Sequence, residues 1–296
     1  MSTGIFKALF LTLLFILLKL PLEILIVKYF GPADLIRGSI YSGNLFKLLL
    51  SISFLFPVFL ILLVHSKIFR KQALTDFIQK ISILPGKAFP TGFLPLAAFL
   101  PLALQILGTR LDSLNQWLFE CDSSYDLLLK YLAPTGHILD SIGAVLTIGV
   151  IGPFVEEIFF RGYILTGLQK HYKNVWIPIL IQAVLFGLSH MNQWQALYSI
   201  LAGVYFGYLK NRTGSLFIPF LIHAGNNLLF VLLPYFEDFL PFKISESCNE
   251  YQYIPLWLTA ASAVILLGSI LYLEIFRHMN KSGNSNSVES GSIDNL

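Results

Sequence analysis

Eight apolar runs of near-membrane length constrain this chain more than anything else in it. They lie at about 5–27, 45–64, 92–108, 139–169, 175–191, 194–209, 214–233 and 254–276. Lipid offers no partner to an exposed amide, so a span must satisfy its backbone internally, and roughly 20 residues of apolar helix cross the hydrocarbon core. The side chains agree: 12% of residues are charged and 55% hydrophobic, whereas soluble domains run near about 25% charged. A soluble fold such as a Rossmann domain or a β-sandwich could not be clothed from this supply. The expected fold class is all-α, a polytopic integral membrane protein with about eight transmembrane helices. Its net charge of +3 gives no reason to expect nucleic acid, and the lipid bilayer is its first partner.

The runs divide the chain into four regions. Residues 1–138 carry helices and loops without a recognised motif, and 139–233 hold the chemistry-bearing segments. An outer loop and the last span occupy 234–279, and the Ser-, Asn- and Gly-rich tail 280–296 is expected to be disordered. The first run follows Lys7 but leads to no A-x-A-like cleavage site, so it reads as a retained helix. Lys19 and Glu23 interrupt it one turn apart and are expected to pair. Pro95 and Pro101 are expected to kink the third span.

Charge orients the bundle. With the N-terminus cytoplasmic and eight crossings, cytoplasmic segments hold Lys7, Lys67, Arg70, Lys71, Lys80, Lys87, Lys170, Lys173, Lys210, Arg212, Arg277 and Lys281. Outer segments hold Lys28, Arg37, Lys47, Arg110, Lys130 and Lys243. This two-to-one bias places both termini on the cytoplasmic side of a cell membrane, a bacterial one on the resemblance given below. Cys121 and Cys248 then share the outer side, where a disulfide between them is expected if that compartment is oxidising.

Ionisable residues inside a span are costly and mark function. Here they cluster: Glu156, Glu157 and Arg161 in the fourth run, His190 at the end of the fifth, His223 and Asn227 in the seventh. Glu157 and Arg161 stand i,i+4 in the favourable acid-before-base order. Glu156, about 100° around the helix, is left beside a like charge in an apolar surround, the environment that makes a general base. His223 and Asn227 project from one helical face. At 1.5 Å per residue, all four polar groups fall roughly 15–22 Å into the membrane, one shared layer. A carboxylate beside a histidine can activate water, and a second histidine with an amide can steady an oxyanion. That set suits amide hydrolysis without a cofactor. Glu156, His190 and His223 also match the donor types of a His₂Glu zinc, so metal stays open on chemistry alone. Each group taken singly also serves as interhelical hydrogen-bonding glue. Gly203 and Gly207 form a small-xxx-small face that reads as a helix-packing groove.

Glu156-Glu157…Arg161, Phe186…His190 and His223…Asn227, in that order, resemble the CPBP family of intramembrane proteases. That family includes CAAX prenyl endopeptidases of the Rce1 type and bacterial proteins linked to bacteriocin processing or immunity. The resemblance covers about residues 140–233. It implies an eight-helix core and a metal-independent glutamate protease acting on a membrane-associated protein or peptide. Glu156 and His190 would activate water, His223 and Asn227 would form the oxyanion hole, and Glu157 with Arg161 would support the site. A non-catalytic transporter or immunity scaffold is the rival reading. The intact set of six motif residues and the absence of a convincing inverted repeat weigh against it.

Overall fold

A computed structural model describes residues 3–30, 40–68, 89–118, 138–191, 193–233, 235–236 and 254–290. Among these the chain is helical, with no strand: α1 (Thr3–Phe30), α2 (Ile40–Ile68), α3 (Phe93–Leu118), α4 (138–169), α5 (Trp176–Leu188), α6 (Gln193–Thr213), α7 (Phe217–Leu232) and α8 (Leu256–Ser290). The eight runs correspond to these eight helices, and the protein is an all-α membrane protein. Cys121 and Cys248, with the disulfide expected between them, lie outside the described residues. So do residues 291–296, while α8 continues to Ser290 where composition predicts disorder. Once a helix is nucleated, each added residue gains its own hydrogen bond.

The helices are not eight equal spans. Thr3–Ile26, Phe93–Asp112, Ser141–Gln169 and Leu256–Asn280 are long and apolar enough to cross a membrane, whereas Lys47–Ile61, Trp176–Leu188 and Phe217–Leu232 are apolar but shorter. α6 is long but carries Gln193, Gln195, Tyr198 and Ser199 in its first half. α5 still exposes an apolar face through Trp176, Ile177, Leu180, Val184 and Leu188.

Two apolar clusters hold the bundle. One joins α1, α2, α4 and α5 through Phe15, Val58, Ile61, Phe159, Phe160 and Phe186, with Phe15 stacked on Phe159 at 4.7 Å. The other joins α3, α6, α7 and α8 through Phe93, Leu100, Leu104, Phe206, Ile222 and Leu273. The Gly203 and Gly207 face meets α5 as its small residues predict. A Cβ on Gly203 would lie 3.0 Å from Ala183 Cα, and one on Gly207 would lie 2.7 Å from Gln182 Nε2. Gln182 uses that closeness to donate to the Gly203 carbonyl at 2.7 Å.

α4 is one continuous helix whose hydrogen-bond register shifts twice. Val145–Ile151 and Glu157–Leu165 are π-helical, on either side of a short α stretch, Gly152–Glu156. Pro153 lies in that stretch and has no N–H to donate. Widened turns of this kind recur at functional sites. The apolar run locates this helix but does not report its π register.

Candidate active site

Seven of the eight helices wall a cavity of about 290 Å³, which Glu156, His190, His223 and Asn227 all line. Its remaining polar wall comes from residues without a recognised motif, among them Lys19, Glu23 and Gln105. Lys19 and Glu23 do pair, at 3.5 Å, and Lys19 also sits over the Phe54 ring at 4.3 Å. The signal for this part of the wall was present in the interruption of the first apolar run. Gln105 and Asn226, also lining the cavity, have no such signal.

Arg161 anchors the centre. It is 0% exposed and donates through Nη1 to Glu157 Oε1 at 2.9 Å. Its guanidinium lies 4.3 Å from the Phe186 ring centroid and 5.2 Å from that of Phe206. Nε and Nη2 find no hydrogen-bond partner, and the two rings give the cation its further contacts.

Glu157, paired to an arginine, is an ionised carboxylate and therefore acceptor only. His223 Nδ1 lies 2.9 Å from the same Oε1, so Nδ1 carries the proton. The ring is held between Phe206, stacked at 4.9 Å, and Phe186, edge-on at 5.8 Å. This fixes Nε2 toward Glu156, whose Oε2 is 3.6 Å away. That is beyond hydrogen-bond distance. The two adjacent glutamates thus have different partners, as the helical angle between them predicts, and one imidazole bridges them.

His190 departs from its sequence placement. α5 ends at Leu188, and His190 lies in the turn beyond it, followed by Met191 at φ 52°. A non-glycine residue at positive φ is strained and marks an imposed turn. His190 N donates to the Gly187 carbonyl, and Nδ1 lies 2.9 Å from the Phe186 carbonyl. A carbonyl only accepts, so Nδ1 bears the hydrogen and Nε2 keeps its lone pair. Ser189 Oγ donates to the same carbonyl at 2.7 Å, which leaves it turned away from any nucleophilic role.

Asn227 Nδ2 donates to the Ile148 carbonyl at 3.1 Å. The local register explains why that carbonyl is free. Gly152 N–H bonds the Thr147 carbonyl, five residues back. The next donor in that register is residue 153, and proline supplies none. Asn227 thus closes a gap that Pro153 opens and ties α7 to α4. Nearby, Thr147 Oγ1 bonds the Lys47 carbonyl at 3.0 Å, which ties α2 to the same turn.

Among the described residues no group of three His, Cys, Asp or Glu side chains is arranged to hold a metal. His223 and His190 each direct Nδ1 to a protein acceptor, which leaves Nε2 as the ring nitrogen without such a partner. What the cavity does offer is a carboxylate, two imidazole Nε2 atoms and side-chain amides around a space large enough for water.

Residues 138–229, which supply α4 to α7, match the family model described as Type II CAAX prenyl endopeptidase Rce1-like. "Putative membrane peptidase YdiL" of Bacillus subtilis (strain 168) is 32% identical over 103 residues, 33% of this chain and 42% of that protein. An "Uncharacterized 24.3 kDa protein" of Escherichia coli is 34% identical over 98 residues, 31% of this chain and 45% of that protein. "Uncharacterized protein YyaK" of Bacillus subtilis (strain 168) is 31% identical over 122 residues, 38% of each chain. The chain spans less than half the length of these curated relatives. No solved structure gives a significant match. The segment that carries the three motifs is thus similar to the Type II CAAX prenyl endopeptidase Rce1-like family, the resemblance that Glu156-Glu157…Arg161, Phe186…His190 and His223…Asn227 express.

Proposed function

We propose that the protein is an intramembrane endopeptidase that hydrolyses a peptide bond of a membrane-associated protein or peptide in or near the bilayer. The observation that carries this reading is the convergence of Glu156, His190 and His223 on one cavity between the helices. Family similarity over the segment that builds four of its walls supports it.

Water entering the cavity gives up a proton to Glu156, with His190 Nε2 holding it on the other side. Its oxygen attacks the substrate carbonyl carbon, and the carbonyl π pair moves onto oxygen. A side-chain amide on α7 steadies the resulting oxyanion. The C–N bond then breaks, and the leaving amine takes the proton that Glu156 accepted. His223, its Nδ1 fixed by Glu157, keeps Nε2 beside Glu156 and can share that proton. No step needs a metal, and one tightly bound zinc per purified chain, with activity lost on its removal, would overturn that part. The proposed substrate classes are CAAX-type tails and bacteriocin-related peptides.

Glu156→Gln keeps the side-chain size and removes the base. Membranes containing wild-type protein are expected to show peptide termini that membranes containing Glu156→Gln lack, in a mass-spectrometric comparison. Identical termini, or full biological function in the variant, would favour the non-catalytic transporter or scaffold instead.

A further inference from the structure

Lys19 belongs to none of the three motifs, yet from α1 it lines the same cavity as Glu156 and His190. It lies inside the span Thr3–Ile26, where an ionisable residue is costly and marks function. A lysine about 10 Å from the end of its span could run its ammonium along the helix to the membrane surface. Here the side chain is instead 13% exposed and faces the cavity. Its partners among the described residues are Glu23 at 3.5 Å and the Phe54 ring at 4.3 Å. Charge-assisted hydrogen bonds run at about 2.7–2.9 Å, so the pair is loose, and an ammonium has three N–H groups to place. The pair is not needed to hold α1 in the bundle, because Phe15, stacked on Phe159, does that. Two apolar side chains in place of Lys19 and Glu23 would avoid taking two charges out of water. Lys19 is also within electrostatic range of His190, so its charge stands near the proposed catalytic centre.

We infer that Lys19 is a specificity-determining residue whose ammonium receives a carboxylate of the substrate and so sets the scissile bond before Glu156. This assignment rests on the hydrolytic reading above. A peptide carries carboxylates in two places, at its C-terminus and on its Asp and Glu side chains, and both present the same acceptor oxygens. Among the described lining residues Lys19 is the sole lysine or arginine, while Glu23, Asp112 and Glu156 are acids. A carboxylate entering the cavity is therefore repelled elsewhere and settles at Lys19. Leu50, Phe54 and Phe206 supply apolar wall, where a carboxylate loses water, and the ammonium is the group that offsets the loss. A substrate without the carboxylate leaves the N–H groups of Lys19 without that acceptor, the kind of mismatch that discriminates between substrates most strongly.

The test uses full-length protein in proteoliposomes and a library of internally quenched peptides in three matched forms. One has a free C-terminus, one a C-terminal amide, and one is amidated with each Asp or Glu replaced by Asn or Gln. Wild type is expected to cleave a carboxylate-bearing form with kcat/KM about 10–100-fold above its amide counterpart, the difference lying mainly in KM. Preference for the free C-terminus assigns the terminal carboxylate, and preference for Asp or Glu over the amide assigns a side chain. Lys19→Met removes the charge and is expected to erase the preference. Lys19→Arg is expected to retain most of it, and Glu23→Gln, which releases the ammonium from its partner, to strengthen it. Lys19→Met losing all forms in equal proportion, with the wild-type ratio kept, overturns the inference and leaves Lys19 a structural residue. If wild type and Glu156→Gln treat every peptide alike, the hydrolytic reading itself fails and this assignment falls with it. If those two differ while wild type cleaves acid and amide forms equally well, only the assignment falls.

Discussion

Arg161 is the residue on which the electrostatics of the centre turn. A guanidinium with no exposure, one carboxylate partner and two aromatic faces is stable only while all three are present. Removing the cation strands Glu157 as a buried charge, a change that costs about 3–5 kcal/mol. Arg161→Leu is therefore expected to lower Tm by a large margin. Arg161→Lys, which keeps the charge but loses the flat face lying on Phe186, should fall between it and wild type. Thermal unfolding in detergent checks the order, and an Arg161→Leu protein as stable as wild type would show that the pair does not hold the site. The pair itself was legible from spacing, because i,i+4 contacts are local. Asn226 was not legible. Which of two neighbouring asparagines is already hydrogen-bonded depends on Ile148, far away in sequence, and no periodicity reports it.

At the scale of elements, α4 and α7 form the frame that sets the cavity. Apolar run lengths located all eight helices, since backbone satisfaction in lipid leaves few alternatives. They did not reveal the π register of α4 or the end of α5 before His190. Both depend on tertiary demands: a proline without an N–H and a turn held at positive φ. α7 is also drawn close to α3, since a Cβ on Gly225 would come within 2.7 Å of the Pro101 ring. The link between Pro153 and Asn227 makes a quantitative prediction. Pro153→Ala restores a donor near the Ile148 carbonyl, so Asn227→Leu should destabilise less in that background than in wild type. A double-mutant cycle on unfolding free energy is expected to show coupling of about 0.5–3 kcal/mol. Additive effects would mean that Asn227 does not answer for the missing proline N–H.

For the whole molecule, the family-like segment is only part of what encloses the chemistry. Lys19 and Glu23 on α1 and Gln105 on α3 complete the wall, so residues without a motif shape what can enter. They lie on helices outside the family-like segment, so access to the cavity is a property of the assembled helices. The direction of that access depends on which way the bundle crosses the membrane. With eight crossings, the excess of Lys and Arg on one side leads us to expect the segment between α4 and α5, where Lys170 and Lys173 are exposed, on the cytoplasmic side. On the same expectation Cys121 and Cys248 are outside. In protein carrying Cys121→Ser, Cys248→Ser and Lys173→Cys, a membrane-impermeant maleimide is expected to react only after permeabilisation. Protein retaining Cys121 alone, or Cys248 alone, is expected to react in intact cells. The reverse pattern would invert the bundle and with it the side from which a substrate reaches Glu156. Labelling of all three positions from one side would mean that the short helices α5 and α7 do not cross, and that the cavity is reached without traversing the bilayer core.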